Sequence, residues 1–324
     1  MARFAMRAGL TLSALVCILS MAAPAHEAWH GDVPIENAFS AAAPTLATYR
    51  DELHLIYRSR ITADLYHSTK SLSGDWSNFE RIVTDKGSPI ETMEQPTAVS
   101  YDGRLHLIYL DVSTAALRAA SFSGGVWRDE GAISIGGKPL ETDVAPAAAV
   151  HNGRLHVVYR SPRTSEIHVA WMYDDTWYGG IPIRILDGDA PLIDSAPALA
   201  AFGGQLYTVY KAFDGLRLHW AWHDGTGWHG DVAFLYETRS CNDYAETVRG
   251  ATLVAEGDSY LWLFAGDAER TALSHLKFDG NAWHGEDEVL DLRTITRPGA
   301  ALFAGRLHIA YKGWGTNRLY WAWK

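Results

Sequence analysis

Two cysteines in 324 residues cannot build a disulfide scaffold. Cys17 falls in an apolar leader and Cys241 is left without a partner. Positive charge is also scarce, with 28 Lys and Arg against 38 Asp and Glu and a net charge of −10. A nucleic-acid phosphate backbone is held by excess Lys and Arg, so the balance argues against nucleic-acid partners. No apolar run is long enough to favour a spanning helix, and membrane insertion is not expected. Segments with the 3.6-residue apolar stripe of an amphipathic helix are missing as well. The chain has no Gly-x-Ser-x-Gly, P-loop or dinucleotide fingerprint, no His pair at zincin spacing and no Asp-rich calcium loop. Neither a metal nor a cofactor is expected. Aromatics, by contrast, are abundant: 13 Trp, 15 Tyr and 10 Phe exclude a disordered chain.

Residues 1–25 read as a secretory signal peptide. Arg3 and Arg7 begin it, Leu10 to Met21 is apolar, and Ala23-Pro24-Ala25 supplies the small residues of a cleavage site. Removing it leaves His26 to Lys324, with 26 basic against 38 acidic residues and a charge of −12. The expected location is secreted or periplasmic, and the expected domain is residues 26–324.

The dominant signal is an internal repeat, which is sought before any other pattern. APTLATYRDELHLIYRS from Ala43, QPTAVSYDGRLHLIYLD from Gln95 and APAAAVHNGRLHVVYRS from Ala145 share one core. So do APALAAFGGQLYTVYKA from Ala196, GATLVAEGDSYLWLFAG from Gly250 and RPGAALFAGRLHIAYKG from Arg297. Their anchors Leu53, Leu105, Leu155, Leu206, Tyr260 and Leu307 are separated by 52, 50, 51, 54 and 47 residues.

Each unit divides into four short strands. A small-residue strand that follows Pro44, Pro96, Pro146 or Pro197 meets a tight turn such as His151-Asn152-Gly153. An alternating strand comes next (Leu155-His156-Val157-Val158-Tyr159), then a loop and a third strand such as Leu218-His219-Trp220-Ala221-Trp222. A fourth strand is expected to start at Trp76, Trp127, Trp177, Trp228 and Trp283. This is strand periodicity throughout, and four-stranded units of this length are propeller blades. The sixth unit stops after its third strand, while Trp29-His30-Gly31-Asp32-Val33 matches Trp228-His229-Gly230-Asp231-Val232. The expected fold is an all-β, six-bladed β-propeller of four-stranded blades. Its N-terminal strand completes the last blade.

The recurring APALA, GRLH-hydrophobic-Tyr and FDG-x-x-W patterns resemble those of bacterial and fungal β-propeller lectins, including fucose-binding ones, with repeats also similar to sialidase-type propellers. The resemblance covers essentially residues 26–324. It implies glycan ligands bound between neighbouring blades, where an aromatic ring stacks on a sugar and an arginine holds its hydroxyls. At the end of the second strand it places Arg58 and Arg160 as binding arginines, with Lys211 and Lys312 substituting in two other blades. Leu110 and Ala265 occupy that position in the remaining two.

Strand order puts the blade connectors and the loops between second and third strands at one end of the disc. The four cations should therefore share a face with Asp143 and Asp194, and each can either pair with a carboxylate or meet a ligand. Phe213 and Trp314 follow two of the cations directly. Lys312-Gly313-Trp314-Gly315 looks most like a ligand loop, with Asn317 as an amide. Trp171, Trp222 and Trp323 recur on the third strand toward the opposite face, as blade packing or as a second aromatic surface. His54, His106, His156 and His308 fill one repeat position, taken elsewhere by Tyr207 and Leu261, and read as packing.

Non-covalent carbohydrate binding by an exported lectin, through repeated shallow sites between blades, is the leading expectation. The alternative is a secreted glycosidase or sialidase-like hydrolase, which needs an acid and a base or nucleophile flanking the glycosidic bond. The inner strands carry few carboxylates, with Glu256 the main exception, but the irregular connector Tyr236 to Arg249 includes Glu237, Asp243, Tyr244 and Glu246. A protein-interaction propeller without a sugar site is the third reading, since a fold implies no function.

Overall fold

The computed structural model describes residues 29–324 apart from 187, 214, 238–241, 248, 267–271, 286–289 and 295. The leader assigned to 1–25 lies outside the described residues. All regular structure among the described residues is β.

Six antiparallel sheets succeed one another along the chain. Blade one runs Thr45–Tyr49, Glu52–Arg58, Leu65–Lys70 and Glu80–Arg81. Blades two, three and four repeat that order from Thr97–Tyr101, Ala147–His151 and Ala198–Phe202. The innermost strands pack side by side in a closed ring, each touching both neighbours. In blade six, Gly299–Phe303, Arg306–Lys312 and Arg318–Trp323 are completed by His30–Phe39, which pairs antiparallel with the third strand. The first and last of the described strands therefore lie side by side in one sheet.

Two blades depart from the simple repeat. The outer strand of blade one has 2 residues and begins after Trp76, which precedes it instead of opening it. In blade five the third strand, Ala272–Phe278, pairs with Trp283–Gly285 at one end and Leu290–Arg293 at the other. A hairpin of Leu235–Glu237 and Asn242–Tyr244 joins the same sheet by a parallel contact at His284. The irregular connector is thus partly a β extension of blade five.

The core lies between the blades. Each of six hydrophobic clusters joins one pair of adjacent blades and includes one tryptophan that lies at the start of an outer strand or just before it. Trp127 serves blades one and two, Trp177 two and three, Trp228 three and four, and Trp283 four and five. Trp29 fills the same role between blades five and six, and Trp76 between six and one. A large ring wedged against the preceding blade buries apolar area that no single blade could cover.

A charged cavity on the propeller axis

The predicted cations do not share one environment. Arg160 is committed: its Nε donates to the Ile193 carbonyl at 2.7 Å and its Nη2 to Ser165 Oγ at 2.6 Å. Its Nη1 bonds to Asp143. Lys211 is buried, and its Nζ donates to Asp194 at 2.5 Å. Both therefore stitch a blade to its connector.

Arg58 and Lys312 have no such carboxylate among the described residues. They line a cavity of about 450 Å³ at the mouth of the axis, on the face of the connectors and of the loops between second and third strands. Arg58 Nε is buried without a hydrogen-bond partner. Trp314 forms part of the wall and is 50% exposed. Its loop is tightly specified. A Cβ on Gly313 would come within 2.6 Å of the Tyr320 ring, and Gly315 turns the chain at φ +69°. The Trp314 amide donates to the Arg293 carbonyl at 2.8 Å, which anchors the turn to the end of the Leu290–Arg293 strand of blade five.

Three residues of this cavity were not singled out by sequence reasoning. Arg249 comes from the connector into blade five, Arg297 from that into blade six, and Glu94 from that into blade two. Arg297 forms the floor at 7% exposure. Its Nε donates to Gln95 Oε1 at 2.5 Å and its Nη1 to the Pro197 carbonyl at 2.7 Å. Gln95 in turn donates to the Pro44 carbonyl at 2.5 Å. A narrower channel space of about 100 Å³ continues beyond Arg297 among the starts of the inner strands. Burial lowers the Arg297 pKa to about 10, opposed by the Glu94 carboxyl. Burial raises the Glu94 pKa, against the pull of Arg297, Arg58 and Arg249. Lys312 is lowered, by burial and then by Arg249.

The remaining candidates lie elsewhere. Asp194 lines the cavity but is bound to Lys211. Phe213 is exposed outside it, beside Leu192, whose carbonyl accepts from its amide at 3.1 Å. Asn317 faces a different cavity of about 480 Å³ where blade six meets blade one, with Phe39, Tyr57, Arg60 and Tyr66. Trp171, Trp222 and Trp323 are half-buried, stacked respectively on Tyr178, on Trp220 and His229, and on Trp321.

No protein-family model matches this chain, and no curated protein sequence does. Solved structures do match. Aleuria aurantia lectin in complex with alpha-methyl-L-fucoside has a TM-score of 0.61 at 12% identity, over 89% of this chain and 95% of that one. The GH93 alpha-L-arabinofuranosidase of Fusarium graminearum, in complex with arabinobiose, has 0.66 at 12%, over 91% and 98%. Trypanosoma rangeli sialidase has 0.57 at 13%, over 88% of this chain and 55% of its own. The shared property is the propeller. At such identities the likeness is one of fold, and it joins lectins with glycosidases.

Proposed function

We propose that this protein is an exported carbohydrate-binding protein, a lectin, that holds a saccharide non-covalently in the axial cavity. The observation that carries the reading is the meeting of Trp314, Arg58 and Lys312 in one wall. A half-exposed ring offers a face for stacking, and two cations with no ion-paired carboxylate among the described residues offer donors for hydroxyl or acidic oxygens. About 450 Å³ falls within the roughly 300–1,000 Å³ range of small-molecule sites. Because Arg160 and Lys211 are engaged by carboxylates, the binding machinery is concentrated on the axis instead of being repeated round the rim. Propeller neighbours that include a lectin bound to a fucoside support the ligand class.

Hydrolysis is the second reading, favoured by one observation: Glu94 is a carboxyl with a raised pKa beside the axis. Glycoside hydrolysis generally needs a second carboxylate or another nucleophile across the bond. Asp194, the other acid of the lining, is bonded to Lys211, and no tyrosine lines the cavity among the described residues. Binding without turnover fits this arrangement better.

The test is a broad glycan array on wild type and Trp314→Ala, with each positive saccharide then incubated and assayed for cleavage. Selective binding that weakens about five- to thirtyfold in the variant is expected, since stacking of this kind is worth on the order of 1–2 kcal/mol. Binding indifferent to Trp314 removes the axial site, silence removes the lectin, and release of reducing ends replaces it with a hydrolase.

A further inference from the structure

Four cations face the axial cavity, and none has a carboxylate within ion-pair distance among the described residues. They are Arg58, Arg249, Arg297 and Lys312. This is unusual in a chain of net charge −10. Elsewhere cations find acids readily: Arg81 meets Asp64 at 2.6 Å, Arg118 meets Asp129 at 3.0 Å and Lys211 meets Asp194 at 2.5 Å. A buried charge is costly unless an opposite charge and hydrogen bonds compensate it. Arg297 has hydrogen bonds to neutral oxygens but no carboxylate at ion-pair distance among the described residues, and Arg58 has a buried donor with nothing to donate to. Among the described residues, Glu94 is the one carboxyl of the lining not already bound to a cation, and it balances at most one of the four.

Resting on the reading of the axial cavity as a saccharide site, we propose that its ligand is an acidic saccharide, bearing a carboxylate or a sulfate. The anionic group sits among Arg58, Arg249 and Lys312, above the Arg297 floor. Guanidinium groups suit both anions because their parallel N–H donors match two oxygens at once. The cations alone fit a free inorganic anion equally well. Trp314 and the exposed Met93 in the same lining distinguish the two, because apolar surface has no role in holding sulfate but covers the carbon face of a sugar ring. The overall negative charge of the protein does not oppose this, since screening confines the effect of distant surface charges to roughly 8 Å at physiological salt.

The test is calorimetry and array binding on the full chain with matched pairs: glucuronic acid against glucose, galacturonic acid against galactose, and galactose 6-sulfate against galactose. Inorganic sulfate is included as a separate ligand. The acidic member of at least one pair is expected to bind tenfold or more tightly than its neutral partner. That preference should shrink as salt is raised. In Arg249→Gln and Lys312→Gln it should fall toward parity, with melting temperatures confirming that both variants fold. Neutral sugars binding as tightly as acidic ones, but only when Trp314 is present, overturn the acidic ligand and leave the axial lectin standing. Failure of acidic and neutral saccharides alike, on both the matched pairs and the array, overturns both readings. Inorganic sulfate binding as tightly as galactose 6-sulfate overturns the saccharide and leaves an anion site.

Discussion

Gly31, Gly179 and Gly230 determine what the third-strand tryptophans can do. All three have positive φ, and a Cβ at these positions would lie 2.5, 2.6 and 3.0 Å from the rings of Trp323, Trp171 and Trp222. Each glycine sits at or beside a register shift in its outer strand, so the bulged backbone lies directly on an indole face. Gly230→Ala should therefore cost more than its backbone strain alone, because its Cβ also meets the Trp220 carbonyl oxygen at 2.8 Å. Gly225→Ala provides the control, with φ +96° and nothing within 4 Å. Thermal unfolding should show a loss of about 1–2 kcal/mol for Gly225→Ala and about 1–3 kcal/mol more for Gly230→Ala. Equal losses would mean that the glycine is kept for its dihedral angle and that the tryptophan face is free. The repeated histidines are also decided residue by residue. His54 Nε2–H donates to the Tyr49 carbonyl at 3.2 Å, so its Nδ1 accepts from His67 Nε2 at 2.8 Å, and His308 receives the Trp321 indole N–H at 3.1 Å. Their recurrence in the sequence reflects packing between blades.

At the scale of the strand, the closing segment behaves as a true outer strand. Tyr210 donates to Asp231 Oδ1 at 2.7 Å, and Tyr311 donates to Asp32 in the same way. Both aspartates stand at positive φ just after the bulge glycine. Two segments 199 residues apart, 32 and 231, thus make one local structure because they make the same contacts with a second and third strand. Trp29 and Trp283 then play equivalent parts in neighbouring clusters. Trp29→Ala and Trp283→Ala should each destabilise the protein by about 3–5 kcal/mol, as expected for large aromatics removed from packed sites. A near-neutral Trp29→Ala would show that the ring closes without the terminal strand.

For the molecule as a whole, acid should loosen the inter-blade seams. Burial lowers the pKa of His54 to about 4, of His67 to about 3, and of His156 and His308 to about 4, from an ordinary 6.5. These groups bind protons more readily unfolded than folded. Their contribution to stability is complete above pH 6.5 and is lost as pH falls toward about 4. The melting temperature should drop over that window. His156→Tyr, which adopts the residue found at the equivalent Tyr207, should flatten the dependence. A pH-independent melting temperature would mean that these rings are hydrated in the fold. Arg297 acts at the same scale, since one guanidinium of blade six reaches Gln95 of the blade two connector and the carbonyl leading into blade four. Arg297→Met leaves a buried carbonyl and the Gln95 amide oxygen unpaired, and a loss of about 2–5 kcal/mol is expected by denaturant titration.

Blade number, strand order and closure were legible in the amino-acid sequence because each blade is a local unit. Its alternation, turn glycines and wedge tryptophan recur every fifty residues or so, and the terminal match of Trp29-His30-Gly31-Asp32 identifies the closing strand. The cavity was legible only in part. Arg58, Lys312 and Trp314 occupy repeat positions or follow them, but whether such a cation meets a carboxylate or open space depends on its particular connector. Asp143 and Asp194 reach Arg160 and Lys211, while among the described residues no equivalent acid reaches Arg58 or Lys312. Arg249, Arg297 and Glu94 belong to no repeated motif and lie far apart along the chain. Sequence alone determined the blades, because blade formation is governed by short-range periodicity and inter-blade packing that every unit repeats. Only the tertiary structure decided the site, because closing the ring brings unrelated connector residues onto one axis.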